Sequence, residues 1–400
     1  MIEADAFLDA ASARGTTFYT GVPCSYLTPL INRAASRRGV PYVGAASEGE
    51  AVAIAAGAWL GGRGACVMMQ NSGLGNAVNP LTSLNQPFRI PALLVVTWRG
   101  EPGFKDEPQH GLMGRITQDL LRVIEVPQGV FPRGDAEVAP ALDAAAAVLA
   151  EGRPYALVVH EGSVSGAGLD EPPRTLPGPG RFTDLRSHGP RPARAGLLER
   201  LLATVPADAA VVATTGKCGR ELFTLADRDA HLYQVGSMGC ASGMGLGVAL
   251  ATGGRVLVLD GDGAALMKLG TLATIGAQQP GGLLHVLLDN GVHDSTGGQA
   301  TASPGVDFPA VALACGYRAA WACDDAPGFE AALRAALAAT GPVLVHARIR
   351  PGSMAALGRP TVAPHEVAQR FRAFLARGAA GGSPSPAPTP SPPRPGPHDA

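Results

Sequence analysis

Short apolar runs alternate with longer segments of helical periodicity along most of the chain. In the first half the strand-like runs are VPYVGAAS, ACVMMQN, IPALLVVTW and YALVVH, and helical patterns cover 48–61, 74–85 and 136–150. The strand-like runs are almost continuously apolar, which is typical of parallel strands covered on both faces. The first half therefore predicts a parallel sheet with helices on both sides.

The same alternation restarts at residue 192. Predicted strands are AAVVAT, HLYQV, RVLVLD, LLHVLLD, 317–323 and PVLVHARI, with helices from about 218 and over 241–251, 263–278, 308–315 and 325–339. Between the halves, glycine and proline are dense and no period survives, and the end SPSPAPTPSPPRPGPHDA is low-complexity. We expect two doubly wound parallel-sheet α/β domains, 1–165 and 191–378, a linker over 166–190 and a disordered tail over 379–400.

Composition excludes several classes of function. The 400 residues are 46% hydrophobic and 16% charged with a net charge of −1, which gives no basic footprint for nucleic acid. No apolar run approaches the ~20 residues that a membrane helix needs, and the first residues, MIEADAFLDAASARG, lack the layout of a signal peptide. The six cysteines have no metal-ligand spacing, so we expect free thiols and a cytoplasmic protein.

The segment VLDGDGAALMKLG carries the first candidate chemistry. Asp262 follows a predicted strand and Asn290 follows the next one, so both belong to the carboxyl edge of the sheet, where ligands bind. A carboxylate and a carboxamide oxygen suit Mg²⁺ held together with a phosphate. Gly261 and Gly263 permit close backbone approach to that phosphate, and the helix near Ala264 offers amide donors. The alternative is a simple helix N-cap by Asp262.

The spacing of these residues resembles the motif of thiamine-diphosphate (ThDP)-dependent enzymes. The resemblance implies that Asp262, Asn290 and the Val292 carbonyl hold Mg²⁺ on the diphosphate. Asp289 in DNGVHD replaces only the first residue of the NN pair that many members carry. These enzymes also need a buried glutamate beside the aminopyrimidine, contributed by the other domain. Glu48 in SEGEAVAIAAG matches that position.

Further segments agree with the motif. Glu50 is the competing candidate for the contact with the aminopyrimidine, although Glu48 matches the motif better. The alternative for Glu48 is that it only stabilises the N-terminus of a helix. GSMG resembles the segment that contacts both rings of the cofactor, which implies that the Gly236 carbonyl accepts from the 4′-amino group and that Met238 lies between the rings; core filling is the alternative for Met238. A dinucleotide motif fails, because Val248 occupies the third glycine position. The other implied cofactor contacts are Asn71, Ser72, Gly216 and Ser237.

Several segments resemble the phosphonopyruvate and sulfopyruvate decarboxylase family in particular. They are TGVPCSYLTPL, SEGEAVAIAAG, MQNSGLGNAVNPLTSL, WRGEPGFKDEPQHGLMGRIT, GSMG, GDG and DNGVHDSTGGQ. The resemblance implies a carboxy-lyase that uses ThDP and Mg²⁺ to convert 3-phosphonopyruvate to phosphonoacetaldehyde and CO₂ in phosphonate antibiotic biosynthesis. Sulfopyruvate, or a broader range of 2-oxo acids, is the alternative. It also implies a homodimer or homotetramer with interfacial active sites, and the small-residue helix 48–61 suits such packing.

A substrate with two anionic ends calls for basic and polar groups near the strand ends. The implied substrate-binding residues are Cys24, Ser25, Arg99, Lys105, His110, Arg115, Ser295 and Thr296. His293 is a candidate proton donor, and Cys24, Lys105 and His110 are further catalytic candidates. The loop WRGEPGFKDEPQHGLMGR can act as a lid or be a solvated charged loop. Cys24 stands where many relatives carry aspartate.

Overall fold

The computed structural model describes residues 1–171 and 177–381, without the side chains of 379–381, and contains two parallel sheets. The first sheet has the order β2-β1-β3-β4-β6-β5. Its strands are β1 (Thr16–Gly21), β2 (Tyr42–Gly44), β3 (Gly64–Gln70), β4 (Leu93–Thr97), β5 (Gln128–Val130) and β6 (Tyr155–Val159). Its helices are α1 (Ala4–Ala13), α2 (Thr28–Ser36), α3 (Glu48–Leu60), α4 (Leu74–Pro80), α5 (Gln86–Phe88), α6 (Gly111–Val123) and α7 (Asp135–Ala150).

The second sheet has the order β7-β14-β15-β11-β10-β8-β9. The strands of this half are β7 (Arg181–Asp184), β8 (Ala210–Ala213), β9 (His231–Tyr233), β10 (Val256–Gly261), β11 (Leu283–Asp289), the short hairpin β12 (Val292–His293) and β13 (Gln299–Ala300), β14 (Ala319–Cys323) and β15 (Val343–Arg348). Its helices are α8 (Arg194–Thr204), α9 (Lys217–Leu225), α10 (Ala241–Thr252), α11 (Asp262–Met267), α12 (Thr271–Gln278), α13 (Phe308–Ala314), α14 (Ala326–Ala338) and α15 (Pro364–Gly381).

The predicted fold class is confirmed, because both sheets are parallel with helices in the connections. The central strands are buried along their length, which explains why their sequences are continuously apolar. Within the described part of the chain, no helix is both long and apolar enough to cross a bilayer. Residues 379–381, predicted to begin the disordered tail, continue helix α15 instead; residues 172–176 of the predicted linker and 382–400 of the predicted tail lie outside the described residues.

Three local features differ from the sequence prediction. Strand β7 lies inside the predicted linker; it is a mostly exposed edge strand of four residues, too short and polar to show a period. The predicted helix 263–278 is two helices, because the chain turns at 268–270, where the Lys268 side chain reaches Gly49 of the first half. The predicted basic loop ends in helix α6. Its glycines weaken the helical signal, but a Cβ on Gly114 would lie 1.7 Å from the Gly100 carbonyl oxygen, so the packing requires glycine.

The two halves pack through helices α3 and α10, both almost completely buried. A Cβ on Gly57 would lie 2.0 Å from the Met244 carbonyl oxygen, and one on Gly61 would lie 2.5 Å from the Ala251 Cβ. Such close approach explains the small residues of both helices. Because residue numbers rise together along this contact, the helices run parallel, and Glu48 lies at the same end of the pair as the loop that precedes α10.

Candidate active site

Each sheet contains a point where the chain leaves neighbouring strands in opposite directions. From β1 the chain passes to β2 on one side and later returns to β3 on the other, and β8 relates to β9 and β10 in the same way. Ligands of doubly wound proteins bind at the carboxyl ends of the strands at such points, where the following loops diverge. The structure therefore has two candidate crevices, one in each half.

The crevice of the second half contains an open cavity of about 220 Å³. Eleven of the predicted site residues line it: Gly216, Met238, Gly261, Asp262, Gly263, Ala264, Asn290, Val292, His293, Ser295 and Thr296. They come from four loops after β8, β9, β10 and β11. Lys217 and Asp294 line the same cavity, and so does Arg194, which sequence reasoning did not identify.

Asp262 and Asn290 have the surroundings that a cation site requires. Asp262 is the first residue of α11, and Gly261, not Asp262, occupies the N-cap position, so the simple capping role does not apply. Burial raises the pKa of Asp262, while a hydrogen bond from the Thr301 hydroxyl at 2.5 Å partly opposes the rise. The Asn290 Oδ1 accepts from the Val292 amide at 3.1 Å.

Mg²⁺ fits this set better than a transition metal. In the described residues no three His, Cys, Asp or Glu side chains converge on a metal position. One carboxylate, one carboxamide and one backbone carbonyl are hard oxygen donors, and Mg²⁺ is usually held by few protein groups together with phosphates and water. Asp262, Asn290 and Val292 could therefore hold Mg²⁺ if a diphosphate supplies further oxygens.

The glycines shape the space around these donors. A Cβ on Gly263 would lie 2.8 Å from the His293 Cε1 and 3.2 Å from the Met238 Cε, so both side chains pack over this glycine. A Cβ on Gly261 would meet nothing within 4 Å, which leaves open space beside the backbone. The loop thus combines a packed floor with a free approach for a phosphate group.

Two buried carboxylate–histidine pairs lie beneath the cavity. Asp289 accepts from Ser303 Oγ at 2.5 Å and from the Gly291 amide at 3.0 Å, and its carboxylate lies 3.0 Å from His346 Nε2. Burial raises the pKa of Asp289, but the bonds from His346 and Ser303 outweigh it and hold the pKa below its usual value. No local pattern marks His346 or Ser303, because neither follows a recognisable motif.

Asp260 forms the second pair. It lies 3.5 Å from His285 and accepts from the Gly261 amide at 3.0 Å. It is fully buried on β10 and does not line the cavity, and its bond to the Gly261 amide restrains the start of the loop that carries Asp262.

In the first half, Glu48 and Glu50 point to different surroundings. The Glu48 carboxylate accepts from Asn76 Nδ2 at 2.8 Å and packs against Gly73, where a Cβ would lie 2.3 Å from the carboxylate in this position. The Glu50 carboxylate accepts from the Ala46 amide at 2.9 Å within the contact between the two halves, where burial raises its pKa. Glu48 therefore faces the strand ends and Glu50 the domain contact.

The first crevice brings Cys24, Ser25 and Arg99 together. Cys24 Sγ lies 3.4 Å from Gln70 Oε1 and 3.4 Å from Thr97 Oγ1, at the ends of β3 and β4. Arg99 donates to Ser25 Oγ at 3.2 Å. Arg99 also forms a bidentate pair with Asp106, at 2.8 and 2.5 Å, and this pair raises the pKa of the guanidinium.

The other predicted residues of the first half are dispersed. Asn71 is buried and donates to the Arg99 carbonyl and to Thr117, whereas Ser72 is exposed and accepts from Gln70. Lys105 is exposed beside a separate cavity, His110 is buried, and Arg115 lies exposed on α6. Neither they nor Glu48 line the cavity that holds Asp262.

The GSMG loop joins the two halves. Ser237 has a φ of 42°, which is rare for a residue with a side chain. Its amide donates to Ser83 Oγ of the first half at 3.1 Å, and its carbonyl accepts from Gln234 at 2.5 Å. These bonds hold Gly236 and Met238 between the first half and the cavity of the second.

Two family models match the chain. They are "Thiamine pyrophosphate enzyme, N-terminal TPP binding domain" over residues 1–121 and "Thiamine pyrophosphate enzyme, C-terminal TPP binding domain" over residues 215–347. Among solved structures, a putative thiamin diphosphate-dependent enzyme from Mycobacterium smegmatis superposes with a TM-score of 0.67 at 15% identity, covering 88% of this chain and all of that one. That likeness concerns the fold alone.

Curated relatives extend the similarity to the whole chain. A phosphonopyruvate decarboxylase of Streptomyces viridochromogenes is 54% identical over 384 residues, which are 95% of this chain and 97% of that protein. A sulfopyruvate decarboxylase of Methanosarcina acetivorans is 30% identical over 364 residues, which are 88% of this chain and 92% of that protein. The resemblance found in the sequence is therefore confirmed: the chain belongs to the phosphonopyruvate decarboxylase family of thiamine-pyrophosphate enzymes.

Proposed function

We propose that the chain is a ThDP- and Mg²⁺-dependent carboxy-lyase that converts 3-phosphonopyruvate to phosphonoacetaldehyde and CO₂. One observation carries the proposal: Asp262, Asn290 and Val292 come from two separate loops and line one cavity at the crevice of the second half. This donor set suits Mg²⁺ on a diphosphate. The 54% identity to a phosphonopyruvate decarboxylase along nearly the whole chain supports the substrate.

Each half contributes a different part of the chemistry. ThDP, when bound, supplies the carbon nucleophile and the electron sink that decarboxylation of a 2-oxo acid requires. Asp262, Asn290 and the Val292 carbonyl would hold the metal, and Glu48 would be the carboxyl group that can exchange a proton with the aminopyrimidine. His293, which packs over Gly263 beside the cavity, is our candidate to deliver a proton to the product.

The basic residues of the first half bind the anionic ends of the substrate. Arg99 is the leading candidate, because its guanidinium lies beside Ser25 at the strand ends. Lys105, His110 and Arg115 lie further along the same segment and add positive charge or proton donors. Ser295 and Thr296 add hydroxyl groups from the cavity of the second half.

A homodimer or homotetramer would complete the site. Cys24, Ser25 and Arg99 do not line the cavity that holds Asp262, so a second copy of the chain could bring its first crevice to that cavity.

A mixture of E48Q and D262A chains tests this arrangement after reassociation. Shared sites predict recovered activity, because some sites then combine an intact Glu48 with an intact Asp262. No recovery in demonstrably mixed oligomers would place each site within one chain.

We also propose a cytoplasmic location and a role in phosphonate antibiotic biosynthesis. All six cysteines are free thiols, five of them buried, which suits a reducing compartment. The proposed product is a reactive aldehyde, so a pathway must contain an enzyme that consumes it.

The decisive experiment compares CO₂ release from phosphonopyruvate, sulfopyruvate and pyruvate, with and without ThDP and Mg²⁺. We expect the highest kcat/KM for phosphonopyruvate and dependence on both additions. Faster turnover of sulfopyruvate would favour the alternative function, to which the relative of 30% identity gives weaker support. Absence of a rise in Tm with ThDP and Mg²⁺ would contradict the cofactor assignment.

A further inference from the structure

Arg194 is a buried cation at the back of the cavity that the proposed function does not use. It is the first residue of α8, is 5% exposed and lines the cavity. Its Nη2 lies 2.6 Å from Asp294 Oδ2, and its Nη1 lies 3.6 Å from Glu221 Oε2. One guanidinium thus lies between two carboxylates, Glu221 on α9 and Asp294 on the loop after β12, a costly arrangement to bury unless the charges are paired.

Asp294 connects Arg194 to Asn290. Asp294 Oδ2 also accepts from Asn290 Nδ2 at 2.7 Å, and Asp294 Oδ1 accepts from the Gly352 amide at 3.1 Å. A carboxamide can bind a cation only through its oxygen, and a rotation of 180° would present its NH₂ group instead. A carboxylate on the nitrogen side prevents that rotation, because it accepts from NH₂ and repels the oxygen.

We propose that Arg194 and Asp294 are positioning residues that hold the Asn290 carboxamide with its oxygen toward the Mg²⁺ site. The inference rests on the proposed function, because it concerns the same metal site. Arg194 neutralises Asp294 and holds it beside Asn290. Without Arg194, the charge of Asp294 would be uncompensated beside Asn290, and its carboxylate could compete as a metal ligand.

The test measures metal binding rather than activity. Mg²⁺ is titrated calorimetrically into the metal-free full chain at saturating ThDP, for the wild type and for R194M, R194K and D294N. R200M is the matched control, because Arg200 lies on the same helix and pairs with Glu330 at the surface. We expect R194M and D294N to weaken Mg²⁺ binding about 10- to 100-fold, the usual cost of losing an outer partner of a metal ligand.

Two further readouts separate positioning from stability. The R194M/D294N double variant should bind Mg²⁺ no more weakly than the worse single variant, because both act through Asn290. R194K should recover part of the affinity, since it keeps a charge near Asp294, and R200M should stay within about twofold of the wild type. The Tm of each metal-free variant is measured alongside.

Specific results would overturn the inference. Folded R194M and D294N with Mg²⁺ affinity within twofold of the wild type would contradict it, and so would a lower Tm with unchanged affinity. If R194M does not fold, R194K and D294N decide by the same criterion. A wild-type chain that binds neither ThDP nor Mg²⁺ would instead remove the proposed function, and this inference with it.

Discussion

The two crevices share a topology but differ in the groups that follow their strands. In the second crevice, a Gly-Asp-Gly turn, a carboxamide and a backbone carbonyl line a cavity, and buried carboxylate–histidine pairs lie behind them. In the first crevice, the groups that follow the strands are a buried glutamate, a thiol and an arginine that pairs with an aspartate. One architecture therefore presents oxygen donors in one half and a carboxylate, a thiol and a guanidinium in the other.

This difference predicts that binding and turnover can be separated by mutation. Changes in the second crevice should first weaken retention of metal and cofactor. Changes in the first should first affect the reaction or the substrate. Each variant below tests one side of that division.

The largest effect is expected for Glu48→Gln. Glutamine keeps the shape and can still contact Asn76, but it cannot exchange a proton, and such groups typically contribute 10²–10⁴-fold. We expect kcat to fall at least about 100-fold while the ThDP affinity stays within a fewfold of the wild type. Steady-state kinetics and calorimetry measure the two quantities.

Glu50→Gln is the matched control for that variant. Glu50 lies two residues away and is also buried, but its carboxylate faces the contact between the halves. We expect kcat of E50Q to stay within about threefold of the wild type. The opposite ranking of the two variants would assign the pyrimidine contact to Glu50.

Asp262→Ala should reverse the pattern seen with Glu48. It removes the one carboxylate among the three proposed metal ligands, so Mg²⁺-dependent ThDP affinity should fall by about 100-fold or more, beyond the usual loss for an outer partner. At saturating cofactor and metal, part of the turnover should return. Unchanged affinity would show that the carboxylate has no metal role.

The sequence predicted the second crevice more completely than the first. Asp262, Asn290 and His293 directly follow apolar strands, so a local pattern locates them, and the structure brings them into one cavity. Arg194 and Thr301 reach the same region from distant segments, and no local pattern marks them.

The basic segment of the first half shows the converse limit. Its composition predicted one loop of substrate-binding charges. In the structure Arg115 lies on helix α6 instead, and the Arg99 side chain forms an ion pair with Asp106. Helix α6 has two glycines, one of them needed for close packing, so helix propensity alone could not predict it. The positions of these charged residues depend on long-range packing, which composition does not reveal.

Asp106→Asn tests whether the Arg99 pair matters to substrate binding. Asp106 binds the Arg99 side chain and accepts from the amides of Gly100 and Glu107, so it fixes the start of the loop. Loss of its charge should raise the KM for phosphonopyruvate about tenfold, as expected for one hydrogen bond to a charged group, with kcat changed less than threefold. Glu107→Gln, at an exposed neighbour, is the control. An unchanged KM would remove Arg99 from the substrate site.

The smallest effect is expected for Cys24→Ser. A buried thiol behaves as a small apolar group with weak hydrogen bonds, and a serine hydroxyl at this position would find Gln70 and Thr97 already beside it. We expect kcat/KM for phosphonopyruvate to stay within about threefold of the wild type, measured by CO₂ release.

Cys66→Ser is the matched control, because Cys66 is fully buried on β3 and burial raises the pKa of its thiol. An unpartnered hydroxyl there should cost about 1–3 kcal/mol of stability with little change in activity per folded chain. A loss of more than tenfold in C24S alone would show that the thiol itself takes part in the reaction.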